Sequence, residues 1–495
     1  MTPVPLITDS SLILLAVGLP LLGALGIALL HRSPNVRDAF MVASAVAVFA
    51  AVLAVFFRLQ DGATLEVELV RIIPEIGFGF AIEPLGMVFA LVASGLWIIT
   101  SIYAIGYMRG AHEKNQTRFF ACFSIAIFAA IGIAFAQNML TLFILYEVLS
   151  LSTYPLVAHK GNEDAKRGAR IYLGLLLGTS IGLLLPAMLA TYAFTGTLDF
   201  VEGGIMQDSV SQSVGAILLV LYMFGIGKAA LMPFHRWLPS AMVAPTPVSA
   251  LLHAVAVVKA GVFTVLKVSI YLFGLDYLEG LWSSDLIMAV AAFTLLAASV
   301  VALHKNNLKA RLAYSTVSQL SYIVLGAMLA NQIAAIGGGM HIVMHAFGKI
   351  TLFFCAGAIY VAAHKTEIHE MDGLGRKMPV TMFAFLLGAL SVIGAPPLGG
   401  LWSKWHLMLG AVEAGHALMI AVFLLSTLLN IAYLLPPVVR AFLLPPPAGT
   451  PKGIEEAPLF CLIPLCLTAL GAFSLFFLAD PVRAFIGTIF SGVAT

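Results

Sequence analysis

The chain has 495 residues, of which 61% are hydrophobic and only 10% are charged. Soluble domains are about 25% charged, so this composition excludes an ordinary soluble protein and indicates a protein of the lipid bilayer. The net charge is only +2 and the chain has no basic tail, so we expect no nucleic acid partner.

Apolar runs of the length that a bilayer requires, about 20 residues, recur along the whole chain. A membrane β-barrel would instead show alternating segments of about 10 residues. The predicted fold class is therefore an all-α polytopic membrane protein with about fourteen transmembrane helices. The predicted spans lie near residues 11–30, 38–57, 82–107, 117–136, 137–158, 170–194, 213–232, 246–273, 285–303, 311–331, 334–363, 380–412, 414–442 and 457–479.

The distribution of Lys and Arg between loops supports this order of helices. Loops after odd-numbered helices carry most of the 26 basic residues, whereas loops after even-numbered helices carry only Arg58 and Arg71. The positive-inside rule then predicts that both termini lie outside the cytoplasm, with the chain in the cell inner (cytoplasmic) membrane. The first span lacks a basic region before it, so we interpret it as a retained helix and not as a cleaved signal.

Five lysines and the clearest membrane acid, Glu147, lie within predicted spans, and a charged residue at a helix centre costs roughly 2.5–3.5 kcal/mol. Such residues are retained mainly where they face the bundle interior and have a function. A buried lysine can lose its proton, whereas arginine stays charged, so membrane lysines favour proton transfer. Lys267, near the outer end of its helix, is instead expected to extend to the interface. The six are Glu147, Lys228, Lys259, Lys267, Lys349 and Lys404.

Histidines accompany these lysines at helical spacing. His341, His345 and Lys349 are four residues apart, which places them along one face of a helix. One interpretation is a proton relay, and the other is a metal pair, although no third ligand of fixed spacing is visible. His253 and Lys259 are six residues apart, so they need not touch, and water could bridge them. The four cysteines form no CxxC pair, so we expect no zinc or iron–sulfur site.

Proline and glycine mark two irregular stretches, each beside a lysine. The first is a connection or an irregular segment after helix seven, and the second interrupts helix twelve. A break within the bilayer must place its free backbone groups in protein or trapped water. Because the breaks in helices seven and twelve are five helices apart, we predict two inverted five-helix repeats. The predicted units are residues 1–116, 117–273, 285–442 and 443–495. The breaks contain Pro233, Pro239, Pro245 and Pro247 near Lys228, and Pro396 and Pro397 near Lys404.

Several strings in these spans resemble the antiporter-like subunits shared by respiratory complex I, membrane-bound hydrogenases and Mrp-type cation/proton antiporters. The resemblance is collinear over roughly residues 80–440, and length and overall pattern are most similar to the D-type subunit of Mrp antiporters. The strings are YEVLSLSTYPLV, PTPVSALLHAVAVVKAG, LKARLAYSTVSQLSYI, HAFGKITLFFCAGAI and GAPPLGGLWSKWHL.

The resemblance implies fourteen helices in two inverted repeats and a charged axis along the membrane midplane. It implies that Glu147 on helix five pairs with Lys228 on helix seven. It also implies roles for the central His253 and Lys259, for His345 and Lys349 on helix eleven, and for Lys404 on helix twelve. Some members of the family have glutamate at this last position, so lysine argues against that complex I subtype.

These features predict a proton pathway that starts near Glu147 and Lys228, crosses the centre and helix eleven, and leaves by Lys404. The predicted function is proton translocation in a multisubunit Na⁺/H⁺ antiporter of the Mrp type. The alternative is a proton-pumping subunit of a redox-driven complex, either an NADH-quinone oxidoreductase or a membrane-bound hydrogenase. A solute transporter and a quinone-facing coupling subunit are further alternatives.

The expected partners are other membrane subunits of a hetero-oligomeric complex, protons, Na⁺ or another monovalent cation as cargo, and lipid. No P-loop, Rossmann fingerprint or haem motif is visible, so we expect no cofactor and no redox centre in this chain. Whether the whole complex is an enzyme stays open at this point.

Overall fold

The fold is described by a computed structural model that covers residues 8–73, 76–447 and 453–491. Each predicted span corresponds to a helix, or to a broken helix, in the same chain order. The helices that correspond to the predicted spans are α1 Asp9–Leu29, α2 Pro34–Gln60, α3 Pro84–Gly110, α4 Gln116–Phe135, α5 Met139–Val157, α6 Glu163–Thr195, α7 Gln212–Gly225, α8 Thr246–Phe273, α9 Trp282–His304, α10 Leu308–Met328, α11 Gln332–Ala363, α12 with arms Pro379–Ile393 and Gly400–Glu413, α13 Ala417–Leu443 and α14 Leu459–Phe477. A further short helix, Ala479–Gly487, follows α14.

The described residues contain eleven helices that are long and apolar enough to cross a membrane. The three other predicted spans are α7, which is short, α10, which is more polar, and α12, which is broken. The prediction of an all-α polytopic membrane protein is confirmed. The inverted relation between the two halves stays a prediction.

A small β-hairpin between α2 and α3 was not predicted. Its strands are β1 Glu66–Ile73 and β2 Ile76–Ala81, paired antiparallel. The hairpin is held by the junction between α4 and α5, where Gln137 N donates to Gly79 O and Asn138 Nδ2 donates to Gly77 O at 2.7 Å. The short connection from β2 to α3 therefore has a fixed position against the helices.

The break after α7 begins earlier than the sequence predicts. The helix ends at Gly225 instead of near residue 232, and a 3₁₀ turn, Gly227–Ala229, follows. Side chains satisfy the freed backbone groups, as a lipid environment requires. Trp237 Nε1 donates to Gly227 O at 2.9 Å, and Lys228 N donates to the Tyr146 hydroxyl at 3.0 Å.

The prolines near this break have different roles. Pro233 precedes a second 3₁₀ turn, Phe234–Arg236, and Pro239 lies in the short helix Trp237–Ser240. Pro245 and Pro247, which were predicted to belong to a connection or an irregular segment, lie at the start of α8, as its N-cap and in its first turn. Proline is well tolerated in a first helical turn because the N–H it lacks would have no partner there.

The break in α12 separates two helical arms around Pro396 and Pro397. Gly394 ends the first arm with a φ of +89°, a conformation that glycine adopts without strain. Lys404 Nζ, from the second arm, donates to Ile393 O at 3.0 Å. A lysine at a helix C-terminus is electrostatically favourable, so Lys404 stabilises the break that it lies beside.

Burial places α8 and α11 at the centre of the bundle. The membrane windows of these two helices are 100% and 94% buried, compared with 33–39% for α1, α2, α13 and α14. Helix α8 also packs closely against the first break. Any side chain larger than hydrogen at Gly261 would clash there, because its Cβ would lie 2.3 Å from the carbonyl carbon of Lys228. The charged groups of α8 and α11 therefore face protein and not lipid.

Candidate functional site

Lys228 lies in the first break and is completely buried. Its Nζ donates to Tyr146 O at 2.8 Å and to Ser150 Oγ at 2.6 Å, and it lies 3.0 Å from the centroid of the Tyr146 ring. Both partners belong to α5. The amine is therefore held by neutral oxygen atoms and an aromatic face.

Glu147 lies on α5 between the two residues that hold Lys228. Both of its carboxylate oxygens are buried and accept no hydrogen bond among the described residues. The predicted contact with Lys228 is not formed in this state, since the described residues include no ion pair between them within 4.0 Å. The carboxylate oxygens of Glu147 are thus buried on the same helix that holds the amine, but they are not bonded to it.

The central group joins α8 to α11. Lys259 Nζ lies 2.7 Å from His345 Nδ1, and both residues are buried. The His345 ring is 5.6 Å from that of His341, whose Nδ1 forms a 2.9 Å hydrogen bond with Ser403 Oγ on the second arm of α12. A row of an amine, two imidazoles and a hydroxyl therefore connects the centre to α12.

Lys349, one helical turn beyond His345, contacts α10. Its Nζ donates to Ser315 Oγ at 2.6 Å, and the same hydroxyl accepts a 2.9 Å hydrogen bond from the Tyr433 hydroxyl of α13. The final lysine, Lys404, lies with its Nζ 4.7 Å from the centroid of the Tyr322 ring. Tyr322 also stacks on His341, with ring centroids 5.5 Å apart, so the central row and Lys404 share one aromatic neighbour.

Buried polar atoms without a protein partner lie beside these lysines. Both ring nitrogens of His253 have none among the described residues, and its ring contacts Phe353 instead. Buried polar groups normally have partners, and buried water is the usual one where protein provides none. Other such atoms are the Gln319 amide oxygen and nitrogen, the Tyr322 hydroxyl, His341 Nε2 and His345 Nε2.

The expectation for Lys267 was wrong. Lys267 does not extend to the interface but is completely buried, because its Nζ pairs with Glu83 Oε1 at 2.9 Å and donates to Ala136 O at 2.9 Å. Glu83 immediately precedes α3, and its other oxygen accepts a 3.1 Å hydrogen bond from the Tyr271 hydroxyl. This carboxylate–amine pair was missed because a lone acid at the end of a span resembles an ordinary surface residue.

Replacing Glu83 with alanine is expected to lower the stability of the detergent-solubilised protein by about 3 kcal/mol. Removing one partner of a buried ion pair leaves the other charge without compensation. The measurement is thermal unfolding in mild detergent. The matched control is Glu68→Ala, which removes an exposed pair with Arg71 and should change little. Equal stability of the two variants would contradict a structural role for the Glu83–Lys267 pair.

Comparisons with known proteins identify the family of the chain. The family model described as NADH:quinone oxidoreductase/Mrp antiporter, TM, matches residues 136–430, and the model described as NADH-Ubiquinone oxidoreductase (complex I), chain 5 N-terminus, matches residues 74–120. The chain belongs to the NADH:quinone oxidoreductase/Mrp antiporter family. NADH-quinone oxidoreductase subunit N of Desulforudis audaxviator is 32% identical to this antiporter-family chain over 477 residues, with 92% of this chain and 94% of the relative covered.

A second relative of this antiporter-family chain is NAD(P)H-quinone oxidoreductase chain 5 of Synechocystis sp., 32% identical over 366 residues. That match covers 69% of this chain and 51% of the relative, so the chain spans about half the length of the chain 5 relative. The homology therefore extends to subunits of two lengths, and both relatives are named as quinone oxidoreductases.

Two solved structures share the fold of this antiporter-family chain. A chain of the Mrp complex from Dietzia sp. DQ12-45-1b superimposes with a TM-score of 0.85, covering 97% of this chain and 96% of that one, at 21% identity. A chain of the membrane-bound sulfane sulfur reductase, an archaeal respiratory membrane complex, gives 0.86 at 22% identity, with 96% and 97% covered. At these identities the likeness establishes the fold alone.

Some of the predicted site residues of this antiporter-family chain contact one another in the structure. Lys259, His345 and His341 are linked directly or by neighbouring rings. Glu147 and Lys228 are on adjacent elements but do not pair, and His253 contacts none of the lysines within hydrogen-bond distance among the described residues. The role of these residues in proton transfer stays a prediction.

The neutral groups that hold the lysines were not predicted from the sequence. Ser150 and Ser315 each bind a buried amine, and Tyr433 binds Ser315. Ser150 lies three residues after Glu147 and therefore on the same helical face, which is a signal that was present in the sequence. Ser315 and Tyr433 lie far from Lys349 in sequence, and spacing along one helix could not identify them.

Proposed function

We propose that this chain is a proton-translocating membrane subunit of a multisubunit complex, and that its buried lysines and histidines carry the protons. The single observation that carries this proposal concerns the longer row of buried residues that runs from Lys228, through Lys259 and Lys349, to Lys404. The amines in it are bound by hydroxyl, carbonyl and imidazole groups and by no carboxylate among the described residues. Amines in such surroundings can exchange protons without breaking a strong ion pair.

The geometry suggests how each transfer would proceed. Lys259 Nζ lies at hydrogen-bond distance from His345 Nδ1, so a proton on the amine can move to a neutral imidazole in one step. His345 Nε2 then needs a further acceptor, and water fits this role because no protein group binds that atom among the described residues. The His341–Ser403 contact extends the same route to α12.

Glu147 is proposed to control the first step. A conformational change that brings its carboxylate to Lys228 would stabilise the charged amine, and separation would favour loss of the proton. The described state, with a buried carboxylate that is not bonded to the amine, corresponds to the separated arrangement.

We infer two candidate driving reactions. In a Mrp-type antiporter, exchange against Na⁺ or another monovalent cation would drive proton movement, and the fold likeness to a chain of the Dietzia Mrp complex supports this candidate. In a redox-driven complex, electron transfer in other subunits would drive it, and the names of the sequence relatives favour this second candidate.

The experiment that separates these candidates is purification of the intact complex in mild detergent, followed by reconstitution into liposomes. A Na⁺ gradient that acidifies or alkalises the lumen, without any reductant, would support the antiporter. Proton uptake that requires an electron donor and a quinone would support the redox-driven complex. If a fully assembled complex moves protons under neither condition, the proposal as a whole is contradicted.

We further propose that the chain lies in the cytoplasmic membrane with both termini outside the cytoplasm. The support is the concentration of basic residues in one set of loops, among them Arg109, Lys160 and Lys305.

A further inference from the structure

A groove on the bundle combines a charged end with an apolar interior. It is a cavity of about 600 Å³ between α2 and α14, with α3 as its floor. Because α2 and α14 are among the least buried helices of the bundle, the groove lies on its outer surface. The groove is lined by Asn35, Asp38, Ala39, Val42, Ala43, Ile102, Ile105, Arg109 and Phe460.

The polar lining residues lie at one end of the groove. Asn35 and Asp38 are in the first turns of α2, and Arg109 is in the last turn of α3. That end adjoins the loops rich in Lys and Arg, where the bilayer surface meets water. The apolar residues lie one or two turns deeper on each helix, so the groove extends from the interface into the hydrocarbon region.

The charged end has more positive than negative groups. Asp38 accepts hydrogen bonds from both Arg37 and Arg109, so one carboxylate balances two guanidinium groups. Arg109 uses its Nε and Nη2 atoms for Asp38 and Asn35, while its Nη1 donates to no group among the described residues. The Arg109 side chain is 44% exposed even though Asp38 is buried. A guanidinium with free N–H donors binds phosphate well.

We propose that this groove binds an anionic phospholipid, with its phosphate at Arg109 and one acyl chain along Ala39, Val42 and Ala43. Charge complementarity favours this occupant, because the surplus positive charge lies at headgroup depth on the basic face of the bundle. The small side chains of Ala39 and Ala43, one turn apart on α2, leave the space that an acyl chain fills. This inference does not depend on the proposed proton route.

For the test, the intact complex is reconstituted in phosphatidylcholine nanodiscs with or without phosphatidylglycerol. Native mass spectrometry then identifies the lipids that stay bound when the complex is released from the nanodiscs. The wild-type complex should retain phosphatidylglycerol in preference to phosphatidylcholine. Ala43→Phe fills the groove without touching the Arg109–Asp38 contact and should lower this retention about tenfold, the effect of roughly 1.4 kcal/mol of lost contact. Ala421→Phe, at an exposed alanine of α13 outside the groove, is the matched control and should retain the lipid.

A photo-crosslinking amino acid at position 43 identifies the occupant directly, even if Ala43→Phe does not assemble. Crosslinks to phospholipid support the proposal. Crosslinks to a helix of a neighbouring subunit would overturn it, as would equal lipid retention by wild type and Ala43→Phe. Loss of the preference for phosphatidylglycerol in Arg109→Gln would support the phosphate contact, and an unchanged preference would overturn it.

Discussion

A Lys228→Ala variant is expected to lose proton translocation by roughly a hundredfold or more while the complex still assembles. The size of the effect is that of a positioned acid–base group. Assembly should survive because alanine removes both the amine and the cost of burying it, and leaves only neutral groups, Tyr146 O and Ser150 Oγ, without this partner.

Glu147→Gln is the companion variant, since it keeps the shape of the side chain and removes its charge. If Glu147 controls the charge on Lys228, this variant should lose translocation to a similar extent. Both are measured as acidification in inverted vesicles, with assembly checked on native gels. The control is Lys166→Ala, at an exposed lysine paired with Glu163. Translocation at the control rate by either variant would refute a role for this pair.

Substitution at Lys259 is expected to have an equally large effect, because its amine makes the contact between α8 and the histidines of α11. Lys259→Met keeps the length of the side chain and removes the proton-carrying group. Lys259→Arg keeps a charge that cannot be released under physiological conditions. If the lysine must load and unload a proton to His345, both variants should be nearly inactive.

The arginine variant distinguishes proton transfer from a fixed charge at this position. A lysine needed only as a positive charge beside His345 could be replaced by arginine with most of the activity kept. A result of that kind, with an assembled complex, would contradict the proposed transfer. The measurement is again the rate of acidification, together with the amount of assembled complex in each preparation.

The helices and their order could be predicted because each depends on local properties of the sequence. The long apolar runs of α3 and α9 and the basic loops between helices are visible without any tertiary information. The breaks were visible as well, since proline and glycine interrupt apolar sequence there. The residues at which the helices end could not be predicted. The end of α7 at Gly225, for example, depends on Trp237 and Tyr146, which satisfy the freed backbone groups.

The partners of the buried charges could not be predicted in the same way. Lys259 contacts His345 and Lys267 contacts Glu83, and in each pair the two residues are far apart in sequence. The position of Glu83 depends on the β-hairpin that precedes it, which has no counterpart among the expected elements. The sequence thus indicated which charged residues lie inside the bundle, whereas tertiary packing determines the partner of each one.

The most direct test of the proton route is a cryo-electron microscopy map of the intact complex at a resolution that shows ordered water. The proposal predicts waters bound to the partnerless nitrogens of His253 and His345 and to Gln319, joining the lysines into one continuous polar path from Lys228 to Lys404. A dry, apolar gap between neighbouring members of this row, in every state of the working complex, would contradict it.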